Sequence, residues 1–444
     1  RFKCLLRKYL MFRNIKLSAD VIVVGSGPGG ATVARELTQK GRTVLILERG
    51  YDHRDKFYYG TYLGALRYSD RMSLLFTEEG LNIIAPIMVG GATSMYAGCA
   101  AAPPPWLKAK YGVDIDAEVK DTIAELKILP LPADLRGMAS TRIARAGQAL
   151  GYDWFAQPKF MNPERSTCHG KHFKCQANCM LGCRCHAKWN AAEWVDKAIA
   201  GGARIRKCAR VDKVLFEDGH VIGVEGKIGG VKFSAGAETV VLAAGGIGSP
   251  RILQKSGMNA AGIGMTMDVT TMIYGVTREK GTGREPPMSW SWDNPDVGYM
   301  LSTLTDPCLL YPLAAARKGI GPALRWLQWN RMLGIMIKLK DDISGGIYPD
   351  GKIRKPLTAA DNEKLSQAYE VCKRILVEAG AKRSSIFMRP MIGTHPSATV
   401  RIGDVVDTNL KTEIDGLYVC DASVFPEALD RPTVLTIIGL AKRL

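Results

Sequence analysis

The feature that most constrains the fold is a glycine-rich turn between a strand and a helix, close to the start of the chain. The β-branched run at 21–24 predicts a short buried strand, and it leads directly into GSGPGG at 25–30. A helical pattern follows, and a second predicted strand, 43–47, ends at Glu48. Strand, glycines, helix, strand and acid in this order, within about 30 residues, are typical of a dinucleotide-binding unit.

Each glycine of this turn has a predicted role. Gly25 permits the tight turn, Gly27 lets the backbone approach a pyrophosphate, and Gly30 lets the helix pack closely on the strand. The helix N-terminus presents unpaired N–H groups to the phosphates. Glu48 can accept hydrogen bonds from the ribose hydroxyls. The unit predicts a Rossmann-type domain, and by itself it leaves both FAD and NAD open.

A small-residue loop, VGGATSMYAGC, occupies residues 89–99. Gly90 and Gly91 allow the backbone to approach a planar ligand closely, and Thr93 and Ser94 follow them. The residues alone also fit an ordinary loop.

Two later segments repeat the logic of the first site. The runs 239–243 and 416–420 both predict short buried strands that end in small or acidic residues. Glycines at strand ends suit backbone contact with a dinucleotide, although Asp421 could equally cap the helix that follows it. The residues expected to contact the dinucleotide at these ends are Ala244, Gly245, Asp421, Ala422 and Pro432.

These motifs resemble those of the glucose–methanol–choline (GMC) oxidoreductase family over nearly the whole chain. GGATS at 90–94 resembles the family's loop over the flavin, GGIGSPRILQKSG at 245–257 its second signature, and HPSATVRIG at 395–403 its C-terminal block. CMLGC at 179–183 and KDDISGG at 340–346 are similar to long-chain alcohol oxidases and their bacterial relatives. The resemblance implies FAD as cofactor, a small-molecule alcohol as substrate and hydride transfer from its carbon to flavin N5.

Two residues carry the predicted chemistry. The resemblance places His395 against the isoalloxazine, where a neutral imidazole suits removal of the hydroxyl proton; a structural histidine is the alternative. Arg431 stands where the family usually has a second His or Asn. It could stabilise an alkoxide or grip a carboxylate, and it would lower the pKa of His395. Alternatively, Arg431 pairs with Asp430 or Glu427 and is turned away.

Five of the eleven cysteines fall between residues 168 and 185. Thiols at intervals of four would line one face of a helix, and four thiolates suit an iron–sulfur cluster, [4Fe–4S] or [3Fe–4S]. Structural zinc assisted by a nearby histidine, or cysteines that are free or disulfide-linked, are the alternatives. Some flavin dehydrogenases of the resembled family carry a cluster in a similar insertion, which moves electrons to an external acceptor. The expected ligands are Cys168, Cys175, Cys179 and Cys183.

The net charge of +17 favours an acidic partner. An acidic redox protein or electron-transfer subunit, or peripheral contact with an anionic membrane, fits it; no nucleic-acid-binding pattern accompanies the charge, so we expect no nucleic-acid partner. Segment 324–339 predicts an amphipathic helix, lying either at a membrane or over the substrate cavity. The basic start, 1–13, does not read as a secretory signal, and we expect a cytoplasmic protein, peripheral at a membrane if the charge is used there.

The expected fold class is α/β (α+β overall), with a discontinuous Rossmann-type FAD-binding domain and a substrate-binding domain. A dehydrogenase of an apolar alcohol, passing electrons through the cluster to an external acceptor, is the leading interpretation. A flavin-dependent reductase of a carbonyl or double bond, or a non-catalytic FAD and iron–sulfur electron-transfer subunit, are the alternatives. The expected parts are 1–17 as a basic segment, 18–115, 188–262 and 395–444 as the FAD-binding domain, 155–187 as a cysteine-rich insertion and 263–394 as the substrate-binding domain.

Overall fold

The structure is a computed structural model that describes residues 15–166, 178–279, 285–317 and 319–444, without the side chains of residues 310, 313 and 314. Its helices are α1 Pro28–Gln39, α2 Tyr62–Arg67, α3 Pro105–Tyr111, α4 Asp116–Leu126, α5 Met138–Ala149, α6 Ala192–Ala200, α7 Gly245–Lys255, α8 Leu310–Ala316, α9 Ile320–Leu324, α10 Ala359–Glu378 and α11 Val434–Arg443. In the described part of the chain, no helix is long and apolar enough to cross a membrane.

The strands are β1 Ile15–Ser18, β2 Val21–Val24, β3 Val44–Leu47, β4 Leu75–Phe76, β5 Asn82–Ile83, β6 Leu129–Pro130, β7 Phe155–Ala156, β8 Pro158–Lys159, β9 Arg204–Arg206, β10 Ala209–Glu217, β11 His220–Ile228, β12 Val231–Gly236, β13 Thr239–Leu242, β14 Ile263–Met265, β15 Thr270–Val276, β16 Trp290–Asn294, β17 Tyr299–Thr303, β18 Met332–Leu339, β19 Ser344–Ile347, β20 Ile353–Arg354, β21 Phe387–Met388, β22 Ile392–Gly393 and β23 Leu417–Val419.

A five-stranded parallel sheet, in the order β23-β13-β2-β3-β9, forms the centre of the dinucleotide-binding part. Every residue of β2 and β3 is buried, as the β-branched runs predict for a parallel sheet covered on both faces. Helix α1 packs against α6 and α11. The predicted unit at 21–48 and the α/β fold class are confirmed.

A second, four-stranded sheet in the order β1-β12-β11-β10 belongs to the same core. Strand β1 runs parallel to β12, and the remaining pairs are antiparallel. The start of β10 continues from β9, so residues 209–212 reach the cavity described below.

A nine-stranded mixed sheet carries the other half of the molecule, with β15 and β18 at its middle. The twenty-residue helix α10 packs on both strands and buries Leu365, Cys372 and Ile375 among them. A capping box between Thr358 and Asp361 begins this helix. All eight residues of β18 are buried, and they include Lys338.

The motif KDDISGG at 340–346 acts as a structural clamp. The Asp341 carboxylate lies 2.8 Å from the Lys355 ammonium, and both side chains are fully buried. The same carboxylate accepts hydrogen bonds from the backbone N–H groups of Met267, at 2.9 Å, and Val269, at 3.3 Å. The pair therefore holds in place the turn between these two residues, which presents Asp268.

The prediction of one helix over 324–339 is wrong. The segment forms the end of α9, a 3₁₀ turn at Arg325–Arg331 and then strand β18. Strand β18 pairs with β15 and β17 and is buried at all eight positions, and the long-range hydrogen bonds of that sheet override the helical spacing of its apolar residues.

Candidate active site

A cavity of about 440 Å³ runs along the carboxyl ends of the parallel strands. Its walls come from the glycine-rich loop at 24–29, residues 47–49, residues 243–248 and residues 421–422. Residues 83–88 and 394–396 close its other side. Ligands of open α/β sheets bind beyond the carboxyl ends of the strands, and this cavity lies there.

The glycines of the first turn do what their spacing predicts. A Cβ on Gly30 would lie 2.1 Å from the Gly25 carbonyl oxygen, so only glycine allows helix and strand to approach this closely. Gly27 lines the cavity, and a Cβ there would meet no protein atom within 4 Å. The space at Gly27 is therefore left for a ligand. No side chain caps α1 at its Gly27 end, which leaves its first N–H groups for phosphate oxygens.

Two buried carboxylates stand at strand ends in the cavity wall. Glu48 accepts hydrogen bonds from the Ser26 N–H and hydroxyl, at 3.0 and 2.6 Å, and burial raises its pKa. Asp421 accepts from the Gly245 N–H at 2.8 Å and from Ser423 N–H at 2.8 Å, and burial raises its pKa as well. Asp421 thus has the capping role that the sequence left open, while it also lines the cavity.

The loop at 90–94 divides into two parts. Gly91 lines the cavity, whereas Gly90, Thr93 and Ser94 do not. The Thr93 hydroxyl accepts from the Ala191 N–H at 2.9 Å, and the Asn190 amide donates to the Ser94 hydroxyl at 3.1 Å. These residues hold the loop against the start of α6, so their side chains position the cavity wall and do not form its surface.

The donor set of the cavity fits FAD. Besides the helix end at Gly27, which no side chain caps, Arg251 lines the cavity, and its buried Nε has no hydrogen-bond partner in the described part of the chain. A cation with an unsatisfied donor suits the pyrophosphate of a dinucleotide. Ala244, Gly245 and Ala422 also line the cavity as predicted, while Pro432 does not and its neighbour Thr433 does.

His395 lines the cavity together with Thr394 and Pro396, and these residues are far from the glycine-rich turn in the sequence. Its Nδ1 lies 2.7 Å from the Asp268 carboxylate, and that carboxylate is buried. With Nδ1–H donated to Asp268, Nε2 is the nitrogen left to accept a proton from a molecule in the cavity. An Asp on Nδ1 selects this tautomer and holds the ring in place.

A buried lysine sets the charge of this histidine. Burial, and then the Lys338 ammonium 3.4 Å from Nδ1, lower the pKa of His395, while Asp268 acts in the opposite sense. Lys338 also donates to the Thr394 hydroxyl at 3.1 Å, and burial lowers its own pKa. His395 is consequently neutral over more of the physiological range than an exposed histidine.

The carboxylates around His395 occupy an uncommon backbone conformation. Asp268 has φ of 44° and Asp430 has φ of 58°, in the left-handed region that costs a non-glycine residue on the order of 1–2 kcal/mol. The Asp430 N–H donates to the Asp268 carboxylate at 3.3 Å. Asp268, which orients the imidazole, is one of the strained positions of the described chain, and functional sites often contain such positions.

Arg431 does not line the cavity. Its Nε donates to the Asp430 carboxylate at 2.9 Å and to the Leu429 carbonyl at 3.1 Å. Of the two interpretations of its sequence position, the structure therefore selects the one in which it pairs with Asp430. The expectation that Arg431 lowers the pKa of His395 is wrong, because the cation that does so is Lys338.

The cysteine segment is described only in part. Cys168 and Cys175 lie outside the described residues. The part around Cys179 and Cys183 forms turns, so these two residues do not lie on one face of a helix. No group of three or more potential metal ligands is assembled among the described residues. The buried Lys188 ammonium ties this segment to the cavity loop, since it donates to the carbonyls of Ser94, Tyr96 and Cys179 at 2.8 to 3.1 Å.

The sequence analysis missed Asp268 and Lys338. Each is a charged residue inside an apolar run, MTMDVTTMI and MLGIMIKL respectively, and such a residue is buried only at a cost unless it is paired. That signal was available. The partner of each charge could not be predicted. Asp268 and Lys338 lie 70 positions apart in the sequence, and both contact His395, which lies farther along the chain.

Comparison with known proteins agrees with this geometry. Two family models, both described as GMC oxidoreductase, match residues 112–271 and 348–441, and an NAD(P)-binding Rossmann-like domain matches residues 23–53. The chain belongs to the GMC oxidoreductase family. It is therefore a flavoprotein that binds FAD and an oxidoreductase acting on CH–OH donors, and the predicted family and the prediction of FAD are confirmed.

Several relatives align along nearly the whole GMC chain. An uncharacterised GMC-type oxidoreductase of Mycobacterium tuberculosis is 24% identical, over 95% of this chain and 74% of its own. An uncharacterised protein of Methanocaldococcus jannaschii is 26% identical, over 96% and 98%. A long-chain-alcohol oxidase of Arabidopsis thaliana is 24% identical, over 96% of this chain and 66% of its own. The crystal structure of pyridoxine 4-oxidase from Mesorbium loti shares the fold, with a TM-score of 0.67 at 16% identity, and covers 96% of this chain and 98% of that one.

Proposed function

We propose that this GMC oxidoreductase is a dehydrogenase of an apolar alcohol, with His395 as the base for the hydroxyl proton. The observation that carries the proposal is the His395–Asp268 pair: Nδ1 is committed to a buried carboxylate 2.7 Å away, and the imidazole lines the cavity. When bound, FAD accepts the hydride of the carbinol carbon at its N5. His395 takes the hydroxyl proton on Nε2, and Asp268 stabilises the imidazolium that results.

The apolar substrate is supported by the wall facing the glycine-rich loop. Residues 83–88 read IIAPIM and contribute six successive positions to the cavity lining. An aliphatic or aromatic carbinol is desolvated against such a wall without leaving polar groups unpaired. The long-chain-alcohol oxidases among the relatives are named for a substrate of this class.

The external acceptor is the second part of the proposal. An iron–sulfur cluster bound by Cys168, Cys175, Cys179 and Cys183 is supported by the placement of Cys179, whose carbonyl shares the Lys188 ammonium with the cavity loop. Such a cluster, when bound by these cysteines, would take electrons from the reduced flavin and pass them to an external acceptor other than oxygen. Zinc, or cysteines without metal, remain the alternatives to be separated by analysis of iron and acid-labile sulfide in the purified protein.

A cationic Arg431 at the substrate would give the reductase alternative some weight. Arg431 lies outside the cavity lining, paired with Asp430, and does not add that weight. The non-catalytic alternative is tested by the variant His395→Gln, because a protein that does not turn over substrate would lose no activity when this base is removed.

The test is an anaerobic visible spectrum recorded before and after a long-chain primary alcohol is added. Wild-type protein is expected to show bleaching of the flavin bands at 450 nm within seconds, whereas His395→Gln should retain FAD and bleach about 10²–10⁴-fold more slowly. His220→Gln is the matched control, because His220 also pairs with an aspartate but is exposed. No bleaching in the wild type would favour a non-catalytic FAD protein, whereas equal bleaching rates in the two variants would remove His395 as the base.

A further inference from the structure

One face of the molecule exposes large apolar side chains from two segments far apart in sequence. The first segment contributes Leu63 and Leu66 from α2, then Met72, Leu74 and Phe76; the second contributes Leu309, Ile320, Leu324, Trp326 and Leu327. We call this set the apolar face. Ile320 is 78% exposed and Leu327 is 75% exposed, among the most exposed large apolar side chains of the described chain.

Direct contacts join the two segments. The Leu309 N–H donates to the Tyr62 hydroxyl at 3.2 Å. The Arg317 guanidinium donates to the Gly80 carbonyl at 3.2 Å and lies 5.9 Å from the centre of the Phe76 ring. These contacts place the two segments side by side, and exposed apolar side chains grouped in this way mark a place of association.

Cations without anionic partners surround these side chains. Arg67, Arg71, Arg317, Arg325 and Arg331 have no carboxylate within 4.0 Å in the described ranges. Of the acidic groups nearby, Asp70 lies 3.4 Å from Arg49 and Glu78 lies 2.5 Å from Arg354, while the exposed Glu79 accepts a hydrogen bond from the Lys355 N–H. The face thus combines projecting aliphatic and aromatic groups with uncompensated positive charge.

We propose that this face docks on an anionic lipid surface. Insertion of a few exposed apolar side chains together with arginines at headgroup level is the composition that binds such a surface, and affinity scales with buried apolar area and lipid charge. An acidic redox protein also fits the charge. The high exposure of the apolar side chains of Ile320, Leu324 and Leu327 favours the lipid surface. Transient complexes between redox proteins bury little surface and would not cover these side chains.

The face also borders the cavity. Asp70 lines the cavity and precedes the strained run Arg71–Ser73, whose three residues all have φ between 49° and 66°. This run carries Met72 outward onto the face. An apolar alcohol dissolved in the bilayer would then meet the protein beside its cavity; this last step rests on the proposed function, whereas docking does not.

The experiment is flotation of the FAD-loaded protein with two kinds of vesicle, pure phosphatidylcholine and phosphatidylcholine with about 30% phosphatidylglycerol. The wild type is expected to float with the anionic vesicles and to be released by high salt. Ile320→Glu/Leu327→Glu should lower the partition coefficient by at least about tenfold. Ile222→Glu/Ile263→Glu is the matched control, with the same charge change at exposed positions on β11 and β14, and should bind as the wild type does.

Three outcomes overturn the proposal. The wild type could ignore both vesicles while it binds an acidic ferredoxin in the same buffer, which assigns the face to a redox partner. Both double variants could lose binding equally, which assigns binding to net charge. The wild type could fail to bind vesicles while light scattering shows a dimer that Ile320→Glu/Leu327→Glu dissociates and the control variant does not. This outcome assigns the face to a second copy of the chain. Anaerobic bleaching by a water-soluble alcohol is measured in parallel, so failure of docking and failure of the proposed reaction are distinguished.

Discussion

The two ends of the cavity are built in different ways. At the dinucleotide end, Gly25, Gly27, Gly30 and Glu48 lie within 24 positions of the sequence, and adjacent strands β2 and β3 bring them together. At the other end, His395 meets Asp268 and Lys338, which are 127 and 57 positions away. A site made by local backbone geometry can be read from spacing, whereas a site made by pairing of distant strands cannot.

The largest effect expected at the distant end is that of Asp268→Asn. The amide cannot hold the imidazole in the tautomer with Nε2 unprotonated, so kcat should fall about 10²–10⁴-fold with FAD retained. Asp415→Asn removes the carboxylate of the exposed His220 pair and serves as control. Stopped-flow reduction of the flavin measures the effect; a loss of FAD in proportion to activity would instead give Asp268 a purely structural role.

At the dinucleotide end, two neighbouring glycines should respond differently. Gly30→Ala places a Cβ against the Gly25 carbonyl, and the free energy of unfolding of the apoprotein should fall by about 1–3 kcal/mol or more. Gly27→Ala meets no protein atom, so the apoprotein should melt as the wild type does while its Kd for FAD rises at least about tenfold.

Denaturation and FAD titration of both apoproteins separate the two roles. Equal loss of stability in both variants would show that Gly27 serves the fold and that its open space is not the place of the ligand.

Lys338→Met tests the electrostatics at His395. The pKa of His395 lies below its ordinary value of 6.5, so the base is neutral above the lowered pKa and kcat/KM should fall only as pH drops through it. Because Lys338 is one cause of the lowering, its removal should move this acid limb to higher pH. The exposed Lys213→Met is the control, and an unmoved limb would exclude Lys338 as the cause.

The same shift has a consequence for stability. Between 6.5 and the lower pKa of the folded state, the unfolded chain binds the proton first, so this histidine makes the protein less stable as pH falls through that window. Thermal melts of wild type and His395→Gln across the window should converge at neutral pH and separate below it.

The smallest effect is expected for Arg431→Gln. Its partner is Asp430 at the edge of the site, and Arg431 itself does not line the cavity. Steady-state kcat and KM should change by no more than about threefold. A large change in kcat would return Arg431 to the substrate and restore the reductase interpretation.

The sequence by itself determined the dinucleotide unit, its parallel sheet and the family, because these depend on strand burial, helix start and glycine conformation within one short stretch. It also pointed to His395, which the structure places in the cavity lining. It did not distinguish Gly91 from Thr93 and Ser94, since neighbouring residues of a loop face different elements only after α6 packs beside them.

Only the tertiary structure decided the partners of His395, the position of Arg431 and the fate of segment 324–339. The buried Asp341–Lys355 pair holds the turn that presents Asp268, and β18 delivers Lys338 through pairing with β15. The physical reason is that the electrostatic interaction between two buried charged groups is strong only when they lie within a few ångströms of each other in a medium of low polarity. Those distances are set by strand register and long-range packing, which no local pattern specifies.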